Sequence, residues 1–423
     1  MRYLAFVCCF IASGCGHAGA SKVPETPSAV SRGSGGINAP DQVGKPFVIL
    51  MSFDGFRADY LNKYDAPNFL RVARSGVRAE RMLPVFPSKT FPNHYSIVTG
   101  DYAETHGIVS NRFWDSGRNA AYALGDPKSV LDGTWYRGEP IWVTAEKQGM
   151  VTASYFWVGS EAWIQGVRPW RVKRFGDSVS NVAMVDSVLS WLELPAESRP
   201  HLITTYMSDV DHAGHTYGPD DPQVQAAILS VDSALGKLLD GIERSSRRND
   251  TYVILVSDHG MTRYEPTTYV RMRDMIDTVG VQLGEGGPVA NLHVRDGESR
   301  ARILRDSLNR KLQHGRAYLR GEVPERFHYR ADPRIGDIVV IMDEHWQFGT
   351  RVPSKGGGQH GWDPQLPSMG AIFIAMGPGI PAGRIMPSFE NIQVYPFIAE
   401  VLGLQPASGI DGKRGWLRSR IVQ

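Results

Sequence analysis

The chain has 423 residues, 42% hydrophobic and 21% charged, which gives ample apolar material for a sizeable core and excludes a fibrous or disordered class. Its 46 Lys and Arg nearly balance 44 Asp and Glu, for a formal net charge of +2. Without long basic blocks, nothing points to a surface built to coat nucleic acid, and charge names no partner.

In chain order, residues 1–20 read as an export signal: an arginine, an apolar run from Leu4 to Ala12, then small residues. The run is too short to span a bilayer. Two processing sites compete: "ASGC" at 12–15 resembles a bacterial lipoprotein box that would lipidate Cys15, and "AGA" at 18–20 fits ordinary Ala-x-Ala cleavage. Either predicts an exported protein, periplasmic or held by a lipid anchor facing the periplasm or exterior. Cys8, Cys9 and Cys15 are the three cysteines of the chain, so the body beyond has no disulfide framework and no thiolate for catalysis or metal binding. Residues 21–45, rich in Ser, Pro, Gly and Ala, predict a flexible linker.

From Pro46 onward, apolar runs alternate with amphipathic stretches. The runs are "PFVILMSFD" (46–54), "MVTASYFWV" (150–158), "HLITTYM" (201–207), "TYVILVSD" (251–258) and "AIFIAMG" (371–377), and the segment 221–245 between two of them has a helical pattern. Continuous apolar strands separated by helices predict an α/β fold with a mainly parallel central sheet sandwiched by helices. The rhythm breaks over 266–354, where "NLHVRD", "SRARILRDSLNRKLQH" and "DIVVIMD" suggest a small inserted α/β subdomain, a cap over a site. The catalytic core then comprises 46–265 and 355–423.

Ligands of open α/β sheets bind at the carboxyl ends of the parallel strands, and the polar residues at those ends are Asp and His. Asp54 follows the first run, Asp211 and His215 lie in "SDVDHAGH", Asp258 and His259 end the fourth, and His360 sits in "GGGQHGWD". A single Asp at a strand end is more often a helix cap or turn former; six oxygen and nitrogen donors at one rim shift the balance to metal binding. Carboxylate with imidazole suits zinc or a similar first-row metal. Asp211, His215 and His360 make one three-donor set and Asp54, Asp258 and His259 another, with Thr90 able to fill the open position of the second.

Thr90 lies in "PSKTFPNH" (87–94), where Phe91 to Val98 reads as a short helix. Its hydroxyl could simply cap that helix. Coordinated to a metal, it could instead be a nucleophile, at a helix N-terminus that favours an alkoxide and an incoming phosphate oxygen.

The segments "FDGFRADY", "FPSKTFPNHYSIVTGDYAETHGIVSN", "YMSDVDHAGHTYGP", "SDHGM" and "GGGQHGWD", in this order, closely resemble the nucleotide pyrophosphatase/phosphodiesterase family of the alkaline phosphatase superfamily, over most of 46–423. The resemblance implies two zinc ions per chain, one held by Asp54, Thr90, Asp258 and His259, the other by Asp211, His215 and His360. It implies that Asn111, in "GIVSN", binds a nonbridging phosphoryl oxygen, and that Phe91 and Tyr206 flank a nucleobase. Val210 and Val158 stand where the family commonly has Pro, which puts local loop shape in question but removes no ligand.

The expected reaction is hydrolysis of nucleotide phosphodiester or phosphoanhydride bonds, releasing nucleoside 5′-monophosphates through a covalent Thr90 intermediate. Phosphomonoesterase or phosphonate hydrolase activity within the same superfamily is the alternative, and a noncatalytic metal-binding surface lipoprotein the remote one. Arg57 and Lys89 are the only cations within the matched motifs close enough in sequence to serve the third oxygen of a monoester.

Overall fold

The computed structural model describes residues 33–176 and 179–422. The expected export signal, Cys15 and the first part of the expected linker lie outside the described residues.

The central sheet has eight strands: β1 (Phe47–Phe53), β2 (Val77–Ala79), β3 (Thr152–Tyr155), β4 (Arg171–Lys173), β5 (Leu202–Met207), β6 (Thr251–Val256), β7 (Phe373–Met376) and β8 (Arg384–Met386), in the spatial order β8-β2-β7-β6-β1-β5-β3-β4. β1 is buried along its whole length, as an apolar run covered on both faces must be. It pairs in parallel with β5 and β6, and β3 pairs in parallel with β4 and β5. β7 runs antiparallel to β6 and β2, so the sheet is mixed at one side. An apolar run buried on both faces looks the same in either direction, and "AIFIAMG" therefore carried no signal of this reversal.

Alternation along β1 divides the core in two. Val48 and Leu50 join the layer that includes helices α2 (Thr90–Thr99) and α6 (Val394–Leu402). Ile49, Met51 and Phe53 face α1 (Pro67–Ser75), α3 (Asn181–Leu192) and α5 (Pro222–Arg244). Pleating sends successive side chains to opposite faces, and each fully buried Leu, Ile or Phe contributes on the order of 1.5–3 kcal/mol. This is the α/β sandwich the strand pattern predicts.

Within 266–354 lies a second, four-stranded antiparallel sheet of strands 281–283, 289–294, 338–342 and 315–319, in that spatial order. Helix Gly297–Lys311 lays Ala301, Leu304 and Leu308 on it, and together they form a separate apolar cluster. The turn joining the first two of these strands, residues 284–288, approaches the strand ends of the main sheet.

The linker expected over 21–45 does not describe residues 33–45. Asn38 is 4% exposed; its Nδ2 donates to the carbonyls of Ala196 and Arg199, and its Oδ1 accepts from Val151 N–H. Ser34 N–H donates to Glu146 Oε2, and Ala39 N–H to Gly149 O. Ser, Pro, Gly and Ala composition reads as flexible, yet a small polar residue can satisfy backbone groups of the loops that lead into β3 and β5, and here Asn38 does. Asn38→Ala strands three backbone partners and should lower unfolding free energy by about 1–3 kcal/mol. Urea denaturation checks this, and an unchanged midpoint would mean that the segment is not docked in solution.

Candidate active site

Four loops at the carboxyl edge of the parallel strands, together with the start of α2, bring the predicted donors together. Asp54 follows β1, its N–H bonded to Met207 O at the end of β5. Gly55 has φ +68°, and a Cβ there would lie 2.9 Å from the Asp211 Cα, so the turn needs glycine both for its left-handed backbone and for its closeness to Asp211. Helix α4 (Asp209–Tyr217) presents Asp211 and His215 one turn apart on the same face. Asp258 and His259 follow β6. The short strand Gly357–Gln359, paired with Thr262–Tyr264, delivers His360. A Cβ on Gly358 would come within 2.4 Å of Gly214 O, which explains why a glycine run precedes that histidine.

The result is two groups, Asp54 with Asp258 and His259, and Asp211 with His215 and His360; in each, one ligand atom per residue lies within 4.8 Å of the others. Backbone carbonyls fix the tautomers. His215 Nδ1 is 2.9 Å from Gly358 O, His259 Nδ1 2.9 Å from Gly260 O, and His360 Nδ1 2.9 Å from Ser88 O. A carbonyl only accepts, so each Nδ1 carries its proton and each Nε2 is left to face the cluster, the second-partner arrangement typical of metal-binding histidines. The Nε2 atoms of His215 and His360 are 3.2 Å apart, a lone-pair opposition that only a shared proton or cation relieves.

The carboxylates repeat the pattern. Asp54 Oδ1, Asp211 Oδ1 and Asp258 Oδ2 are buried without a hydrogen-bond partner. Asp258 Oδ2 does lie 2.9 Å from His259 Nε2, but close approach without hydrogen-bond geometry is what groups aimed at a common third point show. Burial, then the charges of Asp258 and Asp211, push the Asp54 carboxyl well above the usual range. Burial works the same way on Asp258, but the His259 and His94 imidazoles overcome it and hold that carboxyl low. Burial, then His259 and His215, drive His360 well below the ordinary imidazole value. Orphaned buried oxygens and bare imidazole nitrogens in an oxygen-nitrogen set fit a divalent first-row metal at both groups.

Thr90 is the first residue of α2. The N-cap position belongs to Lys89, and no side chain caps this helix end. Thr90 Oγ1 instead lies 3.3 Å from His259 Nε2, beside the Asp54 group. Asn111 Oδ1 accepts from Phe91 N–H, which fixes the amide and leaves Nδ2 as its donor near the start of α2. Phe91 is half-buried, its ring 6.1 Å from that of Tyr122. Tyr206 is also half-buried, and its hydroxyl donates to Asp54 Oδ2 at 2.6 Å, so it orients that carboxylate, a contact the sequence did not suggest.

Neighbouring residues of the motifs have other partners. His94 is fully buried between Thr90 O and Ser52 Oγ, and His106 between Ser96 Oγ and Ile108 N–H. Trp157 is 3% exposed and donates to His94 O, so it belongs to the core. Arg57 is held by Asp59 and by Met261 O. Two features escaped the sequence reading. Phe175 is 56% exposed and edge-on to Tyr206 at 6.2 Å; it lies outside the recognised motifs. Glu285, in the turn of the second sheet, lines a cleft of about 210 Å3 with Lys89, Asn111, His215 and His360; it too lies outside the recognised motifs.

The family model for type I phosphodiesterase / nucleotide pyrophosphatase matches residues 48–363. Human ectonucleotide pyrophosphatase/phosphodiesterase family member 1 is 37% identical over 86% of the chain and 40% of its own length. The venom phosphodiesterase of Naja atra is 36% identical over 88% of the chain and 46% of its own length; the chain thus spans less than half of each of these relatives. Murine ectonucleotide pyrophosphatase/phosphodiesterase 5 superposes with a TM-score of 0.82 at 29% identity, covering 88% of this chain and 99% of that one. The same murine protein is also known as an inactive threonine-to-alanine variant in complex with AMP, 28% identical with a TM-score of 0.82, covering 89% of this chain and 99% of that one. On the extent of the family match and on these relatives, the chain belongs to the type I phosphodiesterase / nucleotide pyrophosphatase family.

Proposed function

We propose that the protein hydrolyses nucleotide phosphodiester or phosphoanhydride bonds and releases nucleoside 5′-monophosphates through a covalent Thr90 intermediate. The observation that carries this reading is the Thr90 hydroxyl at the start of α2, 3.3 Å from His259 Nε2 and beside two complete donor sets. The AMP complex of an inactive threonine-to-alanine neighbour supports it.

Asp54, Thr90, Asp258 and His259 would hold one metal ion, and Asp211, His215 and His360 the other, with zinc best suited to a donor set of this kind. When bound, the ions supply charge neutralisation for the anionic ester and lower the pKa of a hydroxyl or water at phosphorus. Thr90 Oγ1 attacks phosphorus as its proton passes to solvent; the new oxygen–phosphorus bond forms while the bond to the leaving oxygen breaks in line. Water then attacks from the vacated side, Thr90 departs with a proton restored, and two inversions give net retention. Asn111 Nδ2 donates to a nonbridging oxygen, held for that task by the Phe91 N–H bond to its Oδ1. Tyr206 keeps Asp54 oriented, and the half-buried Phe91 offers a ring face to any nucleobase.

The donor sets also predict how metal affects stability. Without cations, three buried carboxylate oxygens are left unsatisfied, so chelation should lower the melting temperature and added zinc should restore it. Asp54→Asn removes one of the repelling charges. In chelator it should melt above chelated wild type, by about 2 °C or more, and with zinc below zinc-loaded wild type; the same order in both conditions would contradict the reading.

Hydrolysis of a thymidine 5′-monophosphate aryl diester, compared with the aryl monoester, tests the activity. Zinc-loaded wild type should prefer the diester, and Thr90→Ala should lose kcat on the order of 10³-fold or more. Monoester preference would move the protein to phosphatase chemistry, and unchanged activity in Thr90→Ala would remove the nucleophile from the account.

A further inference from the structure

Lys89 immediately precedes the nucleophile and occupies the N-cap position of the helix that starts there. Among the described residues lining the cleft, it carries the one permanent positive charge. Its side chain is nevertheless 4% exposed, with Nζ 3.0 Å from Glu285 Oε1 and donating at 3.4 Å to Gly286 O. The other carboxylate oxygen of Glu285 accepts from Ser110 Oγ at 2.5 Å and from Arg112 N–H at 3.1 Å. Ser110 and Arg112 flank Asn111. One carboxylate, presented by the turn of the second sheet, therefore ties together the residue before the nucleophile and both neighbours of the oxyanion donor.

We propose that Glu285 is a specificity-determining positioning residue: it withholds the Lys89 cation from the bound phosphoryl group and puts its own negative charge in the cleft, so the site discriminates against phosphomonoesters.

The charges give the reason. A phosphomonoester dianion carries one more negative charge than a diester, and that charge requires a nearby cation as partner. Lys89 is the residue placed to provide it, but its ammonium is already paired with Glu285. Arg57, the second cation of the motifs, is occupied by Asp59 and Met261 O. A diester monoanion has an ester substituent in place of the extra charged oxygen and loses less by the arrangement. Glu285 acts on Lys89 and on the electrostatics of the cleft, without taking part in bond making.

This inference rests on the diesterase reading, and the experiment separates the two. It measures kcat/KM for a thymidine 5′-monophosphate aryl diester and for the aryl monophosphate, with inorganic phosphate as inhibitor, in wild type, Glu285→Gln and the double variant Glu285→Gln/Lys89→Met. Glutamine retains an acceptor for Ser110 and Arg112 while releasing Lys89. The monoester-to-diester ratio should rise about 10-fold or more in Glu285→Gln, the size expected of one new charge-assisted hydrogen bond, and phosphate should inhibit more tightly by a similar factor. Both gains should vanish in the double variant, because they require Lys89. A merely structural role would lower kcat/KM for both substrates and leave the ratio unchanged. Thermal melting reports whether Glu285→Gln folds; where it does not, Glu285→Asp, which withdraws the carboxylate by one methylene, should move the ratio in the same direction by a smaller factor. A retained diesterase with an unchanged ratio in the variant that folds, or a gain that persists without Lys89, would overturn the inference alone. Wild type without diesterase activity would overturn the functional reading, and this inference with it.

Discussion

Unsatisfied charge at the rim of the central sheet is the constraint on which the rest of the site depends. Asp54, Asp211 and Asp258 each keep a buried oxygen without a hydrogen-bond partner, and His215 and His360 turn bare Nε2 atoms toward each other at 3.2 Å. Isolated buried charge is costly enough that proteins pair it, protonate it or bind a metal to it. The surrounding backbone does not relieve the crowding and instead enforces it: three carbonyls hold the three Nδ1 protons and so aim each Nε2 inward. Such a cluster fits cations that would balance it.

The sheet supplies the rigidity this requires. β1, β5 and β6 lie side by side in parallel, so the residues after them emerge at one edge, and apolar layers on both faces leave the strand ends little freedom to spread. Gly55 and Gly358 permit the closest approaches, toward Asp211 and toward the backbone of α4. Helix α2 then brings Thr90 to the same edge, and Asn111 is locked onto its first turn through Phe91 N–H. The second sheet is joined to this machinery by Glu285, so an element remote from the strand ends bears on the charge seen by the substrate.

Much of this was legible from residue types. The six metal-binding candidates and Thr90 all meet at one rim, because Asp and His directly after continuous apolar strands have few other reasons to recur. Direction and contact were not legible. β7 reads identically whether it runs parallel or antiparallel. The resemblance offers Tyr206 as an aromatic platform, and the bond of its hydroxyl to Asp54 was not visible, since a residue type shows a ring without showing where its polar end points. Residues 33–45 read as linker because small polar residues suit both free chain and docked turns, and only the buried amide of Asn38 separates the two. Glu285 lies 196 residues from Lys89 in sequence, and no local pattern marks so distant a pairing.

The central claim is that both donor groups bind cations, and anomalous diffraction from crystals of the zinc-loaded protein, recorded above and below the zinc absorption edge, tests it most directly. The account predicts two edge-dependent peaks, one among Asp54, Thr90, Asp258 and His259, the other among Asp211, His215 and His360. A single peak, or density at these positions that shows no edge, would contradict it.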